Sequence, residues 1–205
     1  MIAIIDYDAG NMRSVEKALL YLEAEVKVTR DREELLAADK VVLPGVGNFG
    51  DAMSKLKEYN LIPTIKEVAA SGKPFLGICL GLQLLFESSE ESPGVEGLSL
   101  LPGKIVKFPV TPGYKIPHMG WNSLNFKNAG RLFAGLGENS FVYFVHSYYL
   151  QAAEKEMVKA TSDYILEFDA SIERGNVFGC QFHPEKSGDV GLQILQNFVA
   201  LEEGK

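Results

Sequence analysis

The first half of the chain alternates short apolar runs with segments whose apolar residues recur at helical spacing. Short continuous apolar runs are typical of strands that are covered on both faces of a sheet. The predicted strands are residues 2–5, 26–29, 40–43 and 74–76, and the predicted helices are residues 12–22, 33–38, 48–59, 62–70 and 82–86. Asn11 is placed to cap the first helix. This alternation predicts a parallel sheet with right-handed crossovers, and functional residues at the C-terminal ends of its strands.

The second half has another pattern, with polar, turn-rich stretches between shorter strand candidates. Residues 88–103 are polar, and prolines at positions 102, 109, 112 and 117 punctuate the chain from the end of that stretch onward. The strand candidates are residues 104–108, 141–145, 158–161, 166–173 and 177–182, and residues 190–201 predict a closing amphipathic helix. We therefore predict one α/β domain over residues 1–205, with a mostly parallel central sheet flanked by helices and extended by antiparallel strands.

Composition and charge exclude several classes of protein. The chain is 46% hydrophobic and 23% charged, as is usual for a globular protein, and its net charge of -7 argues against nucleic acid or an anionic membrane as the main partner. No apolar run approaches the roughly 20 residues of a membrane span, and no basic segment precedes the N-terminal apolar run. With two cysteines and no export signal, we expect a cytoplasmic protein. The sequence shows no metal-ligand spacing, phosphate loop or dinucleotide fingerprint, so no metal or cofactor is predicted.

Cys79 lies between two glycines at the predicted junction of strand 74–76 and helix 82–86. A single residue between Gly77 and Gly81 in such a turn is the nucleophile-elbow pattern, here with Cys in place of Ser. The helix N-terminus would favour the thiolate form of Cys79. A free cysteine is, however, more often a small buried hydrophobe, so this motif requires support from a second one.

His183-Pro184-Glu185 is that second motif, at the end of the last strand candidate. Residues two apart on an extended chain point the same way, so we expect His183 and Glu185 to face one target. Glu185 would then orient the imidazole, and His183 would take a proton from Cys79. The alternative is a surface turn. Of the three histidines, only His183 has a carboxylate two residues on, at the end of a strand candidate.

A glycine-rich segment supplies donors for an oxyanion. Attack on an amide carbonyl needs preorganised donors, each worth roughly 3 kcal/mol in the transition state. One candidate is the backbone N–H of Leu80, the residue after the nucleophile. The second would come from Pro-Gly-Val-Gly at residues 44–47, where glycine lets the backbone approach a substrate closely. An ordinary turn before a helix is the competing interpretation.

Together these stretches resemble the class I (triad) glutamine amidotransferases, a flavodoxin-like α/β family, and within it the glutaminase subunits of imidazole glycerol phosphate synthase. The resemblance covers nearly the whole chain. The matching blocks are residues 6–14, 44–49, 77–83, 117–122, 146–149 and 183–187. Asp8 departs from the pattern, because many relatives are expected to have glycine there.

The resemblance implies a mechanism and a partner. Cys79, His183 and Glu185 would hydrolyse glutamine to glutamate and ammonia through a thioester. The implied oxyanion donors are Leu80 and Val46, the implied glutamine contacts are Gly47, Gln83, Ser147 and Tyr148, and the implied partner contacts are Asn11, Met119, Trp121 and Lys186. The partner would be a (β/α)₈-barrel cyclase in a heterodimer, which uses the ammonia to make imidazole glycerol phosphate and aminoimidazole carboxamide ribonucleotide.

Two alternatives remain open from the sequence. One is the glutaminase subunit of another class I amidotransferase, for pyridoxal phosphate or anthranilate synthesis, although the opening block and residues 44–47 disfavour it. The other is a non-catalytic subunit that keeps the fold. An isolated chain of the favoured type is expected to have weak glutaminase activity, because the Val46 amide would need the partner to turn it inward.

Overall fold

A computed structural model describes residues 1–202 and begins with strands that alternate with helices. The strands are β1 (Ile2–Ile5), β2 (Val26–Thr29), β3 (Lys40–Leu43) and β4 (Phe75–Ile78). The helices are α1 (Met12–Tyr21), α2 (Arg32–Ala37), α3 (Phe49–Glu58), α4 (Leu61–Ala70) and α5 (Leu80–Leu84). Each lies within about two residues of its predicted bounds, because the buried runs and helix caps mark the element ends clearly.

The later elements are mostly antiparallel strands. They are β5 (Ser88–Ser89), β6 (Gly103–Lys107), β7 (His118–Ser123), β8 (Asn125–Phe126), β9 (Phe141–His146), β10 (Tyr148–Ala152), β11 (Val158–Tyr164), β12 (Leu166–Arg174) and β13 (Val177–Cys180), followed by helix α6 (Gly188–Ala200). Four of them, β5, β7, β8 and β10, were not predicted. Strands β5 and β8 have only two residues each, β7 contains Gly120 and polar residues, and β10 is separated from β9 only by the single residue Ser147.

The main sheet has the order β2-β1-β3-β4-β13-β12-β10-β6-β5, in which the first five strands run parallel. This confirms the predicted α/β fold with a parallel central sheet and added antiparallel strands. The pairing of β4 with β13 places Ile78 opposite Cys180. Because parallel neighbours end at the same edge, the residues that follow these two strands lie side by side.

The central strands are covered on both faces. In β1, Ala3 and Ile5 belong to one buried cluster and Ile2 and Ile4 to another on the opposite face. The period of two in a strand explains this division. A separate two-stranded sheet pairs β7 with β9, with His118 opposite His146. Over residues 1–202, no helix is both long and apolar enough to cross a membrane.

Candidate active site

Cys79 occupies a strained turn between β4 and α5. Its backbone has φ 54° and ψ -108°, a combination that non-glycine residues rarely adopt and that costs about 1–3 kcal/mol. The Cys79 N–H donates to the Cys180 carbonyl at 2.7 Å, which ties the turn to β13. The predicted elbow is therefore present in the structure.

The two glycines that flank Cys79 are required by close backbone approaches. A Cβ on Gly77 would lie 2.8 Å from the carbonyl carbon and oxygen of Gly81. A Cβ on Gly81 would collide with the Leu43 carbonyl oxygen. Residues 77 and 81 must therefore lack a side chain for β4, α5 and β3 to pack at these distances.

His183 and Glu185 form a buried hydrogen-bonded pair. Nδ1 of His183 lies 2.7 Å from Oε1 of Glu185, and both side chains are fully buried. His183 is extended, with φ -101° and ψ 95°, as predicted. The prediction is wrong for the residues after it, because β13 ends at Cys180, not at residue 182, and Pro184–Lys186 form a 3-10 turn. The turn itself brings the carboxylate back to the ring.

Backbone and hydroxyl contacts hold this 3-10 turn in place. The His183 N–H donates to the Tyr143 carbonyl at 2.9 Å. Oγ of Ser187 donates to the His183 carbonyl at 2.6 Å and accepts from the Tyr143 N–H at 3.0 Å. Strand β9 thus supports the histidine, a role for Tyr143 and Ser187 that sequence reasoning did not identify.

Asn11 also contacts the pair. It occupies the N-cap position of α1, as predicted, but its side chain makes no capping hydrogen bond. Nδ2 of Asn11 donates to Oε1 of Glu185 at 2.5 Å and lies 3.4 Å from Nδ1 of His183. Asn11 therefore orients the carboxylate, a contact that could not be inferred from its position in the sequence.

Cys79 and His183 line the same cavity, which has a volume of about 280 Å³. Nε2 of His183 is buried and has no hydrogen-bond partner within residues 1–202. Burial disfavours protonation of this imidazole, but its interactions with Cys79 and Glu185 outweigh burial and raise the pKa of His183 to about 9. The site therefore favours an imidazolium next to the sulfur, as acyl transfer through a thiolate requires.

The candidate oxyanion donors are not arranged for an oxyanion in this structure. The Leu80 N–H donates to the Gly45 carbonyl at 3.3 Å. The Gly45 carbonyl and the Val46 N–H belong to the same peptide group. Because a trans peptide directs these two groups oppositely, the Val46 N–H points away from Leu80. Gly47 has φ 104°, a value that favours glycine. The Pro44 carbonyl is held by the Tyr7 hydroxyl at 2.7 Å, so the strand before this peptide is anchored.

The four residues predicted to hold glutamine, Gly47, Gln83, Ser147 and Tyr148, all line the cavity. Nε2 of Gln83 donates to the Tyr148 carbonyl at 3.2 Å and to Oε1 of Gln181 at 3.0 Å. Nε2 of Gln181 lies 3.8 Å from Sγ of Cys79. Gln181 was missed, although a lone polar residue in the apolar run 177–182 was a visible signal.

Glu91 is a second missed residue of the cavity. It lines the same space, and one of its carboxylate oxygens accepts from the Phe49 N–H at 2.7 Å. Glu91 lies in the polar, turn-rich stretch after α5, where no periodic sequence pattern identifies a site residue. Within residues 1–202, no group of three or more His, Cys, Asp or Glu side chains is placed to hold a metal ion.

The predicted partner contacts other than Asn11 lie on the surface. Met119 and Trp121 of β7 are 63% and 56% exposed, and Lys186 is exposed in the turn that carries Glu185. His118, on the same strand, is buried and cannot present its ring to a partner.

Comparisons with known proteins agree on one family. The family model for glutamine amidotransferase class I matches residues 3–201. A Bacillus cereus protein named imidazole glycerol phosphate synthase subunit HisH is 56% identical over 99% of this chain and 96% of its own length. A Moorella thermoacetica protein of the same name is 55% identical over 98% and 94%.

Solved structures with lower identity share the fold. A crystal structure described as a glutamine amidotransferase superposes with a TM-score of 0.76 at 19% identity, covering 98% of this chain and 100% of that one. PurLQS from Thermotoga maritima contains a chain that superposes with a TM-score of 0.72 at 21% identity, covering 96% of both. These two likenesses establish the fold alone.

Proposed function

The chain belongs to the class I glutamine amidotransferase family, and from that membership we propose that it is the glutaminase subunit of an imidazole glycerol phosphate synthase. It hydrolyses L-glutamine and supplies ammonia to a cyclase in histidine biosynthesis. The observation that carries the proposal is the location of Cys79 and His183 on one cavity, with the buried Glu185 hydrogen-bonded to that histidine. The near full-length identity to proteins named HisH supports the particular synthase.

The proposed reaction begins with attack of the Cys79 thiolate on the carboxamide carbon of glutamine. His183, as imidazolium, gives its proton to the departing nitrogen, so ammonia leaves and a glutamyl thioester remains. His183 then takes a proton from water, which attacks the thioester and releases glutamate. Glu185 keeps the imidazole oriented through Nδ1 and stabilises its charged form.

We propose that Leu80 and Val46 donate to the oxyanion after one peptide has rotated. The Gly45 carbonyl now accepts from the Leu80 N–H, the position that an oxyanion would take. Rotation of the Gly45–Val46 peptide would replace that carbonyl with the Val46 N–H. The glycines on both sides of Val46 make this rotation sterically accessible. The isolated subunit is therefore expected to be weakly active.

Glutamine recognition is proposed to combine backbone and side-chain groups. Gln83 and the backbone of Gly47, Ser147 and Tyr148 line the cavity and would contact the substrate. The carboxylate of Glu91 lines the same cavity and would pair with the substrate's α-ammonium group, since a buried cation needs an opposite charge. With this pairing, the site binds the amino-acid end of glutamine as well as its side-chain amide.

A partner must receive the ammonia, because ammonium formed in bulk water is not nucleophilic. We propose a heterodimer with a cyclase of (β/α)₈ fold, docked on the surface that carries Met119, Trp121 and Lys186 and lies near Asn11. The exposure of two large apolar side chains on β7 supports this surface. A single domain over residues 1–205 and a cytoplasmic location, consistent with two free cysteines, complete the proposal.

The decisive test is a glutaminase assay with and without the cyclase and its ribulosyl aminoimidazole carboxamide nucleotide. We expect slow glutamine hydrolysis by the subunit alone and strong stimulation in the complete complex. Full turnover by the isolated subunit would contradict the proposed peptide rotation. Labelling with a glutamine-analogue electrophile, followed by peptide mass spectrometry, should modify Cys79; an unmodified Cys79 would favour a non-catalytic subunit.

A further inference from the structure

His146 and His118 form a buried imidazole pair next to the glutamine cavity, and the proposed reaction does not use either. Nδ1 of His146 lies 2.8 Å from the Tyr148 carbonyl oxygen. A carbonyl oxygen only accepts, so Nδ1 of His146 carries the proton and Nε2 has a free lone pair. His146 is therefore held in one tautomer by the segment that follows it.

The second histidine completes this arrangement. Nδ1 of His118 lies 3.0 Å from Nε2 of His146, so His118 must donate through Nδ1. Nε2 of His118 is then an acceptor, and Nδ2 of Asn122 lies 3.4 Å from it. One placement of protons satisfies every contact with both rings neutral. Burial supports this state, because it lowers the pKa of His146 to about 3 and that of His118 to about 4.

The carbonyl that accepts the hydrogen bond from His146 lies at the glutamine cavity. The Tyr148 carbonyl receives hydrogen bonds from both His146 and Gln83, and Ser147 and Tyr148 line the cavity. Ser147 is the single residue between β9 and β10, and its carbonyl accepts from the Phe108 N–H at 3.1 Å, whereas the Tyr148 carbonyl has the two side-chain donors His146 and Gln83. His146 and Gln83 therefore help to set the direction of the Tyr148 carbonyl, and with it the adjoining backbone of Ser147 at the cavity.

We propose that His146, fixed in its tautomer by His118, is a positioning residue that sets the Ser147–Tyr148 backbone for glutamine binding. The inference rests on the proposed glutaminase function. His146 is not a second base, because both of its ring nitrogens are already engaged. Its removal should weaken glutamine binding while leaving the chemistry at Cys79 intact.

The test measures glutamine hydrolysis by the complex with the cyclase for three variants. His146→Phe keeps an aromatic ring and removes the donor, so we expect KM for glutamine to rise about tenfold with kcat within about threefold of the wild-type value. His146→Asn places an amide N–H near the position of Nδ1 and should recover most of the lost affinity. The control is Phe168→Leu, because Phe168 packs on the His146 ring at 5.1 Å without a polar contact. It should lower the melting temperature and leave KM unchanged.

The outcomes separate the inference from the proposed function. An unchanged KM in His146→Phe, with a loss of thermal stability like that of Phe168→Leu, would assign His146 a packing role only. A loss of kcat at unchanged KM would also overturn the inference. Absence of glutamine hydrolysis by the wild-type complex would instead overturn the proposed function.

The tautomers of His146 and His118 can be measured in the wild-type protein, so this second test does not require a variant to fold. The chain has three histidines, so nitrogen NMR of the wild-type protein can resolve each ring. We expect His146 and His118 both to carry the proton on Nδ1. A proton on Nε2 of either ring would overturn the inference.

Discussion

The protonation of His183 depends on two neighbouring side chains. Burial opposes the charged form, but Cys79 and Glu185 raise the pKa from 6.5 to about 9. In Cys79→Ala one of these partners is lost and the other remains, so we expect the pKa of His183 to fall. Titration of its imidazole resonances by NMR measures this change.

The matched control is Cys180→Ala. Cys180 is also buried, and burial raises the pKa of its thiol to about 12, so it carries no charge near neutral pH. It should leave the titration of His183 unchanged. An unchanged pKa in Cys79→Ala would instead show that Glu185 alone holds the imidazolium.

Asn11 is expected to act on the reaction through Glu185. Its side chain donates to the carboxylate at 2.5 Å. In Asn11→Ala the carboxylate loses this donor and its fixed orientation, so kcat for glutamine hydrolysis by the complex should fall about tenfold with little change in KM. Steady-state kinetics test this expectation.

Asn125→Ala is the control for Asn11→Ala. It also removes an amide–carboxylate hydrogen bond, the 2.7 Å contact with Asp163, but on the surface away from the cavity. It should leave kcat unchanged. Normal kcat in Asn11→Ala with weaker binding of the cyclase would show that Asn11 acts only as a partner contact.

At the scale of elements, the elbow between β4 and α5 depends on the absence of a Cβ at Gly77. In Gly77→Ala the methyl group would lie 2.8 Å from backbone atoms of Gly81 and Leu82, which cannot move without shifting α5. We expect the free energy of unfolding to fall by about 3 kcal/mol. Gly137→Ala is the control, because that site is exposed and has nothing within 4 Å, and it should change stability by less than about 0.5 kcal/mol.

Chemical denaturation at neutral pH measures both glycine variants. Equal stability of Gly77→Ala and the wild type would show that α5 can shift on β4 at little cost. In that case the strained Cys79 conformation would not be set by close packing at this junction.

Local sequence predicted the elements before Cys79 well and some later ones poorly. The apolar runs of β1 and β3 predict strands that are buried on both faces. In α3, the side chain of Asn48 caps the N-terminus of the helix. In contrast, β7 mixes polar and apolar residues without a regular pattern, and is defined by its pairing with β9. Pairing between distant segments cannot be detected from the local pattern of apolar residues.

The same distinction applies within the site. The residue types at Cys79, His183 and Glu185 could be read from two short motifs. The contacts of Gln181, Glu91 and Asn11 could not, because each depends on a neighbour that the fold supplies. The extended geometry expected for Pro184 and Glu185 was wrong for a related reason: the 3-10 turn from Pro184 to Lys186 forms against Tyr143 and Ser187.

At the scale of the whole molecule, one edge of the sheet carries the cavity and the proposed partner surface. Strands β4 and β13 end there with Cys79 and His183. The two-stranded sheet extends the same region, because β9 leads into Ser147 in the cavity while β7 exposes Met119 and Trp121. A partner bound to β7 would therefore lie next to the place where ammonia is released.

Trp121→Ala tests this placement of the partner. Large aromatic side chains at the centre of an interface carry much of its binding energy, so we expect the dissociation constant for the cyclase to rise at least about tenfold. The glutaminase activity of the isolated subunit should stay the same, since Trp121 does not line the cavity. Isothermal titration calorimetry measures the first quantity and a glutamate assay the second.

Leu20→Ser is the matched control, because Leu20 is an apolar residue of α1 with 51% exposure, close to the 56% of Trp121. Exposure alone does not mark an interface, since scattered surface hydrophobes are common. Normal affinity in Leu20→Ser with weak affinity in Trp121→Ala would locate the cyclase on β7. The reverse pattern would move the partner to the face of α1 that carries Leu20 and would contradict docking on β7.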